Sequence, residues 1–358
     1  MTPASAAIVA RAAHDGPASR RDWHELVAAD PDALPTQSPE WIRSVCAHGH
    51  YVDASTCYGL SDGRRVLLPL VRSARRSGRL STLDSMPPAW GFGGPLVEGG
   101  VTADAVAAVV DDLVARGALR VHLRPNPLHA DLWSSAMAER RGVSTRPSCA
   151  HVLDLSGGFA TVWQQRFKPA TRSQVRKAER MGVVVETDTT GRLLPELHAL
   201  LRASVDRWAG HQHEPAWLAQ ARFARRDPPA KLRAIADHLG ASCQVSVARH
   251  QGRAVAAILV LQGRNAHYTR GAMDEELAAQ TQANRLLHKV AIEAACRAGC
   301  RWYHMGESGA SAGLAQFKSR FGAVAHPYDE YIVERVPLDR LDRLARTGVK
   351  RALGVRDG

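Results

Sequence analysis

Hydrophobic and polar positions fall into short blocks along the chain, and the blocks recur in one order. In "DWHELVAAD" (22–30) the apolar residues keep helical spacing. "TQSPEWIRSVCAHG" (36–49) predicts a second helix, with Ser38 as its N-cap and Pro39 in its first position. "DASTCYGLSDGRRVLLPLVRS" (53–73) predicts a strand, a turn at Asp62-Gly63 and a second strand. "TADAVAAVVDDLVARG" (102–117) is an amphipathic helix stopped by Gly117, and "LRVHLRP" (119–125) a buried strand ended by Pro125.

The second half has the same grammar. "CQVSVARHQGRAVAAILVLQGRNAHYTRGAMD" (243–274) predicts three strands joined by turns at Gln251-Gly252 and Gly263. "ANRLLHKVAIEAACRAG" (283–299) is a helix stopped by Gly299, followed by the strand "CRWYHMG". The offset from Gly117 to His122 equals that from Gly299 to His304. Two copies of one α+β unit account for the shared order. Between them, Pro169 opens and Gly182 closes a helix whose Val175, Ala178 and Met181 are expected in the core. Its Arg172, Arg176 and Arg180 recur every four residues, with Lys177 beside them. This ridge is either a solvated face or a phosphate-binding one. "DRWAGHQHEPAWLAQARFARRDPPAKLRAIADHLG" (206–240) predicts two helices joined by Asp227-Pro228-Pro229. Leu338, Leu341 and Leu344 give the basic tail a helical stripe that fits packing on the body. The resulting division is a flexible tail at 1–20, units at 21–155 and 156–336, and a basic helix at 337–358.

Charge narrows the partners. The formal net charge of +12 over 358 residues attracts polyanions, with tRNA, a nucleotide or CoA as candidates. An arginine-rich composition is the alternative source of that charge. No stretch approaches the ~18 apolar residues of a membrane span. The N-terminus lacks the basic start and apolar centre of a signal peptide, so a cytoplasmic protein is expected; its oligomeric state is left open, with a monomer favoured. The six cysteines, at 46, 57, 149, 243, 296 and 300, form no metal-spaced pattern and are expected to be reduced thiols.

One stretch poses a chemical question. "GESGASAGLAQFKSRFG" (306–322) runs from a permissive glycine and serine loop into a box where Lys318 stands between Phe317 and Phe321, with Arg320 beside it. No cysteine with a catalytic partner is present, so a thiol nucleophile has no candidate. A lone lysine in such a box suits charge stabilisation.

Taken in order, "RSQVRKAERMGVVVE", "YTRGAMD", "ANRLLHKVAIEAACRAGCRWYHMGESG", "GLAQFKSRFG" and "YDEYIVE" resemble the FemABX family of aminoacyl-tRNA-dependent aminoacyltransferases. The resemblance runs from about Trp23 to Val336. It implies an α+β fold of two tandem GNAT-like domains, mixed sheets flanked by helices, with a cleft between them. It also implies an aminoacyl group moved from aminoacyl-tRNA to an amine, with no other cofactor. The family's functional lysine follows a phenylalanine, which carries over to Lys318 after Phe317. The family's phosphate-clamping pair aligns with Val45 and Glu214, with Arg43 and His213 nearby, and neither aligned residue suits a phosphate. A small-molecule or peptide amine in natural-product (antibiotic) assembly therefore fits better than a UDP-linked cell-wall precursor.

Amide formation from an ester needs a positioned amine and a stabilised oxyanion. Lys318 can face the oxyanion, the leaving ribose hydroxyl or the terminal phosphate, with Phe317 lining the acyl path. Asp206, Glu307 and His304 are candidate proton acceptors. Arg207 and Trp208 could hold a carboxylate and a flat group of the acceptor. His267, Tyr268 and Thr269 lie on the strand where GNAT folds place the acyl group. Arg172, Arg176, Lys177, Arg180 and Arg320 are the candidates for tRNA phosphates. Two alternatives stay open, a CoA-dependent N-acyltransferase and a non-catalytic RNA-binding protein. The helix after "GAMDEELAAQTQ" lacks the Arg/Gln-x-x-Gly-x-Gly/Ala loop that cradles CoA pyrophosphate.

Overall fold

The computed structural model describes residues 18–138, 140, 142–211, 214–309 and 311–335. Most of the expected N-terminal tail, the basic C-terminal helix with Leu338, Leu341 and Leu344, and His213 lie outside the described residues. By its contacts the chain divides into two compact units, one of residues 18–149 with 326–335, the other Ala150–Ala325.

The first unit contains helices α1 (Arg20–Ala29), α2 (Pro39–His48), α3 (Ala103–Ala115) and α4 (Ala130–Met137). Its strands are β1 (Tyr51–Asp53), β2 (Thr56–Gly59), β3 (Arg65–Leu68), β4 (Val71–Ser73), β5 (Thr82–Asp84), β6 (Leu96–Val97), β7 (Arg120–Leu123) and the start of β8 (Val143–Asp154). Helix ends follow local chemistry. Ser38 Oγ accepts the Trp41 amide at 3.2 Å, and Thr102 Oγ1 caps α3. Gly117 leaves α3 at φ +62, where a side chain is strained. Ala105, Val106, Val109, Val110 and Leu113 turn the apolar face of α3 into the core.

One expectation fails here. The strand read across "RVLLPLVRS" is two strands in different sheets. β3 pairs with β2 and β6, whereas β4 pairs with β1 and β5. Pro69 stands between them and has no amide to donate to a ladder.

The second unit adds α5 (Gly158–Thr161), α6 (Pro169–Arg180), β9 (Val184–Asp188), α7 (Leu194–His211), α8 (Ala216–Arg226), α9 (Pro229–Leu239), β10 (Cys243–His250), β11 (Arg253–Gln262), β12 (Ala266–Met273), α10 (Glu275–Thr281), α11 (Ala283–Arg297), β13 (Trp302–Glu307), α12 (Ala312–Ser319) and the start of β14 (Val324–Glu334). The end of β8 pairs with β13, and the sheet continues β13-β12-β11-β10-β9. Every pairing in it is antiparallel except β12 with β13. The end of β14 pairs with β7 in the first unit.

The duplication shows in the topology. In each unit an antiparallel strand pair (β4-β5, β11-β12) leads through a helix (α3, α11) into a parallel neighbour (β7, β13). Each unit is a mixed sheet with flanking helices. In the second, Ile258 and Val260 join the core built with α6 and α11. The alternate residues Ala257, Leu259 and Leu261 are equally buried, with α7 packed against β11 and α9 against the neighbouring β10. Val175 and Ala178 lie in this core as expected, but Met181 does not. It is the C-cap of α6 and 38% exposed, because the helix has ended there.

Candidate functional site

The site begins at a seam in the second unit's sheet. β12 and β13 pair only at Ala266↔Tyr303 and His267↔His304. Just beyond, both strands are irregular. The β11–β12 register shifts between Leu259 and Val260, which leaves Thr269 as the extra residue. The β13–β8 register shifts between His304 and Glu307. A bulge bends its strand and re-aims the next side chains. Gly306 lies in this opening at φ +69, and a Cβ there would stand 3.5 Å from the Tyr268 carbonyl oxygen.

α12 brings Lys318 to the opening. Ser311 Oγ accepts the Leu314 amide and starts the helix close behind β13. Lys318 is 2% exposed, and its Nζ donates to the carbonyls of Gly306 at 2.9 Å and Glu307 at 2.6 Å. A buried ammonium needs such polar partners to stay charged. The phenylalanines flank it within one aromatic cluster. Phe317 and Phe321 have ring centroids 5.2 Å apart, and His288 of α11 stands 5.3 and 5.5 Å from them. Tyr268 meets His288 at 4.9 Å. Gly271 leaves room for Tyr268, since a Cβ at that position would meet the phenol oxygen at 2.2 Å.

The electrostatics follow from burial. His288 is pushed down to about 3, by burial first and then by the charge of Lys318, so its ring is neutral. Its Nδ1 has no hydrogen-bond partner among the described residues. Burial pushes the Tyr268 phenol up to about 12. Arg285 of α11 lies over Phe317 at 5.7 Å and is lowered by burial and by neighbouring Arg320. Two guanidiniums therefore stand beside the lysine box.

The residues singled out from the sequence divide as follows. Lys318, Phe317, Tyr268, Thr269 and Glu307 meet at the seam, Glu307 through its main-chain oxygen. His304 and His267 are buried with rings 6.1 Å apart. Asp206 lies elsewhere. Its carboxylate accepts from Gln220 of α8 at 2.6 Å, which turns it to the α7–α8 seam. Arg207 ties α7 to the end of β12, donating to the Met273 carbonyl at 3.3 Å and pairing with Glu275 at 2.8 Å. It lines an open pocket of about 760 Å³ with Leu200, Ala203 and Met273. Trp208 is 42% exposed.

The cationic ridge is not uniform. Arg172 donates to the carbonyls of Trp163, Gln164 and Phe167, at 3.2, 2.8 and 2.7 Å, and so closes the end of the preceding helical turn. Arg176, Lys177 and Arg180 are all exposed, Arg176 with its guanidinium over the Trp163 ring. The Arg320 carbonyl accepts from the Lys168 amide and the Thr171 hydroxyl, locking α6 to the end of α12.

Three features were missed in the sequence. His288 is a single histidine on an apolar helix face, a pattern that points to packing. Arg285 precedes it by one turn on α11. The third is an ionic cluster of Lys231, Arg226 and Arg270 around the buried Asp227. Among the described residues no group of His, Cys, Asp or Glu is arranged to hold a metal ion, and no helix is long and apolar enough to cross a membrane.

Comparison with known proteins follows this geometry. Residues 165–319 match the family described as Acetyltransferase (GNAT) domain, which falls within the second unit. No curated protein matches the sequence. Among solved structures, the crystal structure of FemX is similar, with a TM-score of 0.66, 13% identity, and coverage of 91% of this chain and 98% of that one. A conserved protein of unknown function from Bacteroides thetaiotaomicron VPI-5482 has a TM-score of 0.54 at 10% identity, covering 88% of this chain and 97% of that one. The domain match supports an acyltransferase, and the structural likeness shows the fold. The resemblance carried by the motifs holds at that level: this chain has a FemX-like fold with an acetyltransferase (GNAT) domain in its second unit.

Proposed function

We propose that the protein forms an amide by moving an aminoacyl group from aminoacyl-tRNA to the amine of a small molecule or peptide, at the Lys318 box. One observation carries the reading. A buried ammonium is held by two carbonyls at the point where β12 and β13 part. In the reaction the amine nitrogen bonds to the ester carbonyl carbon and the bond to the ribose oxygen breaks. The ribose oxygen takes up the proton that the amine gives up. Negative charge develops first on the carbonyl oxygen and then on the leaving oxygen. The fixed charge of Lys318, buried beside the seam, stabilises both, an effect worth about 2.7–4 kcal/mol for one well-placed donor. Arg285 and Arg320 suit the phosphate of the donor's terminal nucleotide. The aromatic wall of Phe317 and Tyr268 excludes water, which would otherwise compete for the ester.

The acceptor is not a UDP-linked precursor in this reading. Val45 is wholly buried in α2, and Glu214 is 7% exposed and paired with Arg222, so neither can clamp a pyrophosphate. A smaller amine of a natural-product route fits that lack.

Acyl-CoA as donor is the second reading, favoured by the acetyltransferase domain match. The experiment offers the protein charged tRNA and acyl-CoA separately, with a panel of amines, and reads product masses. Amide from charged tRNA alone supports the first reading. Product from acyl-CoA alone overturns it in favour of the second, and no amide from either donor overturns both.

A further inference from the structure

The bulge at Thr269 has a consequence for the opposite face of the sheet. Tyr268 and Gly271 turn toward α11, as the Tyr268 ring over Gly271 and against His288 requires. Arg270 turns the other way, to the junction of α8 and α9. There Arg270 reaches Asp227 at 2.7 Å, Lys231 reaches it at 3.2 Å and Arg226 at 2.9 Å. Asp227 is fully buried and Lys231 nearly so, while Arg270 is 20% and Arg226 53% exposed. The cluster thus grades outward from a buried carboxylate to accessible guanidiniums.

Three cations reach this carboxylate. Lys231 registers the neighbouring positive charge. It is pushed down to about 8, by burial first and by Arg270 next, ahead of the opposing attraction of Asp227. Asp227 is held well below the usual carboxylate range, chiefly by Arg270 against the cost of burial. Positive charge gathered at this density recruits an anion, and guanidinium forks match a carboxylate in geometry. The main chain extends the arrangement: Arg270 also donates to the Thr269 carbonyl at 2.8 Å, inside the bulge. A ligand held here would lie against the same strand that carries Tyr268 to the Lys318 box.

We propose that Arg270 and Arg226, organised by Asp227 and Lys231, bind the carboxylate of the amine acceptor, on the face of β12 opposite the Lys318 box. This rests on the acyl-transfer reading for the word acceptor. It narrows the acceptor to an amino acid or a peptide with a free carboxylate. Donor and acceptor would then meet at the bulge from opposite faces, with the ester on the aromatic side and the amine entering from the ionic side.

The test is direct binding. Diglycine and diglycinamide, which differ in the carboxylate, are titrated calorimetrically into the intact protein and into Arg226→Gln. That variant keeps Arg270 and Lys231 on Asp227. Diglycine is expected to bind at least roughly ten-fold tighter than the amide, the size of one charge-assisted hydrogen bond. Arg226→Gln is expected to remove most of that preference. Equal binding of the two probes, binding of neither, or an unchanged preference in Arg226→Gln overturns the proposal. Inorganic phosphate is the third probe. If it binds more tightly than diglycine in an Arg226-dependent way, the site belongs to a phosphate and the carboxylate assignment is lost. The transfer reading stands or falls separately, on product from charged tRNA. Carboxylate selectivity without turnover refutes that reading alone, and turnover without selectivity refutes this one.

Discussion

Replacing Lys318 with methionine separates its structural from its chemical role. The substitution removes an ammonium that is 2% exposed and bonded to two carbonyls. Two opposing terms decide stability. Hydrogen bonds from a charged donor contribute about 1.5–3 kcal/mol each, and the carbonyls of Gly306 and Glu307 lose theirs. Against that, burying an ammonium costs several kcal/mol, and an apolar side chain of similar volume avoids that cost. The terms largely cancel, so Lys318→Met is expected to lose no more than about 2 kcal/mol. Transition-state stabilisation has no such offset, because methionine presents no charge to the oxyanion. Turnover should fall by about 10²–10³.

The assay measures urea unfolding and amide formation on one preparation. A proton titration of His288 adds a local readout. Lys318 contributes to holding that imidazole near 3, so the methionine variant must raise its pKa. A variant that unfolds like wild type, shows the raised His288 pKa and still turns over at the wild-type rate would falsify the role assigned to Lys318. If instead turnover and stability collapse together, Lys318→Arg decides. It restores a charge to the fold, and recovered stability with no recovered rate supports a requirement for the ammonium itself.

Two further outcomes are expected. His288 is neutral in the folded protein and ordinarily titrates near 6.5, so the unfolded chain binds a proton that the folded one refuses. Its contribution makes stability fall by about 1.4 kcal/mol per pH unit as pH drops below 6.5 toward about 3; urea unfolding across that window should show a shallower slope in His288→Phe, and an unchanged slope refutes the assignment. Arg172→Ala should cost about 2 kcal/mol through its lost carbonyl contacts while leaving RNA affinity unchanged, whereas Arg176→Glu with Arg180→Glu should weaken RNA binding in a salt-dependent way. The reverse pattern in a filter-binding assay would return the ridge to a single phosphate-binding face.

What the sequence reveals here depends on how far apart the interacting residues lie. Ser38, Thr102, Gly117 and Gly299 are legible because a cap or a helix stop acts on neighbours within one turn. The Lys318 box is legible for a related reason, since its carbonyl partners at Gly306 and Glu307 lie only 12 and 11 residues upstream, inside the same loop-and-helix stretch. Local cues mislead where a nearer partner competes. Arg172 keeps the spacing of Arg176 and Arg180, yet carbonyls 5 to 9 residues away claim its guanidinium. Pro69 is visible, but its effect of sending β3 and β4 to different sheets depends on strands it does not touch in sequence. β8 and β14 went unread because their pairing partners lie far along the chain, and their apolar positions alone do not name a register.

The ionic cluster is the extreme case. Arg270 and Asp227 are 43 residues apart, and no periodicity links them. Their meeting depends on the bulge at Thr269, which reverses the facing of every later residue on β12 relative to Tyr268. Were Thr269 paired regularly, strand alternation would turn Arg270 to the same face as Tyr268, away from Asp227. The bulge lets one strand carry an aromatic wall on one face and a cation on the other. A substitution that restored regular pairing there would damage both faces at once, and the loss of stability would come before any loss of chemistry could be measured.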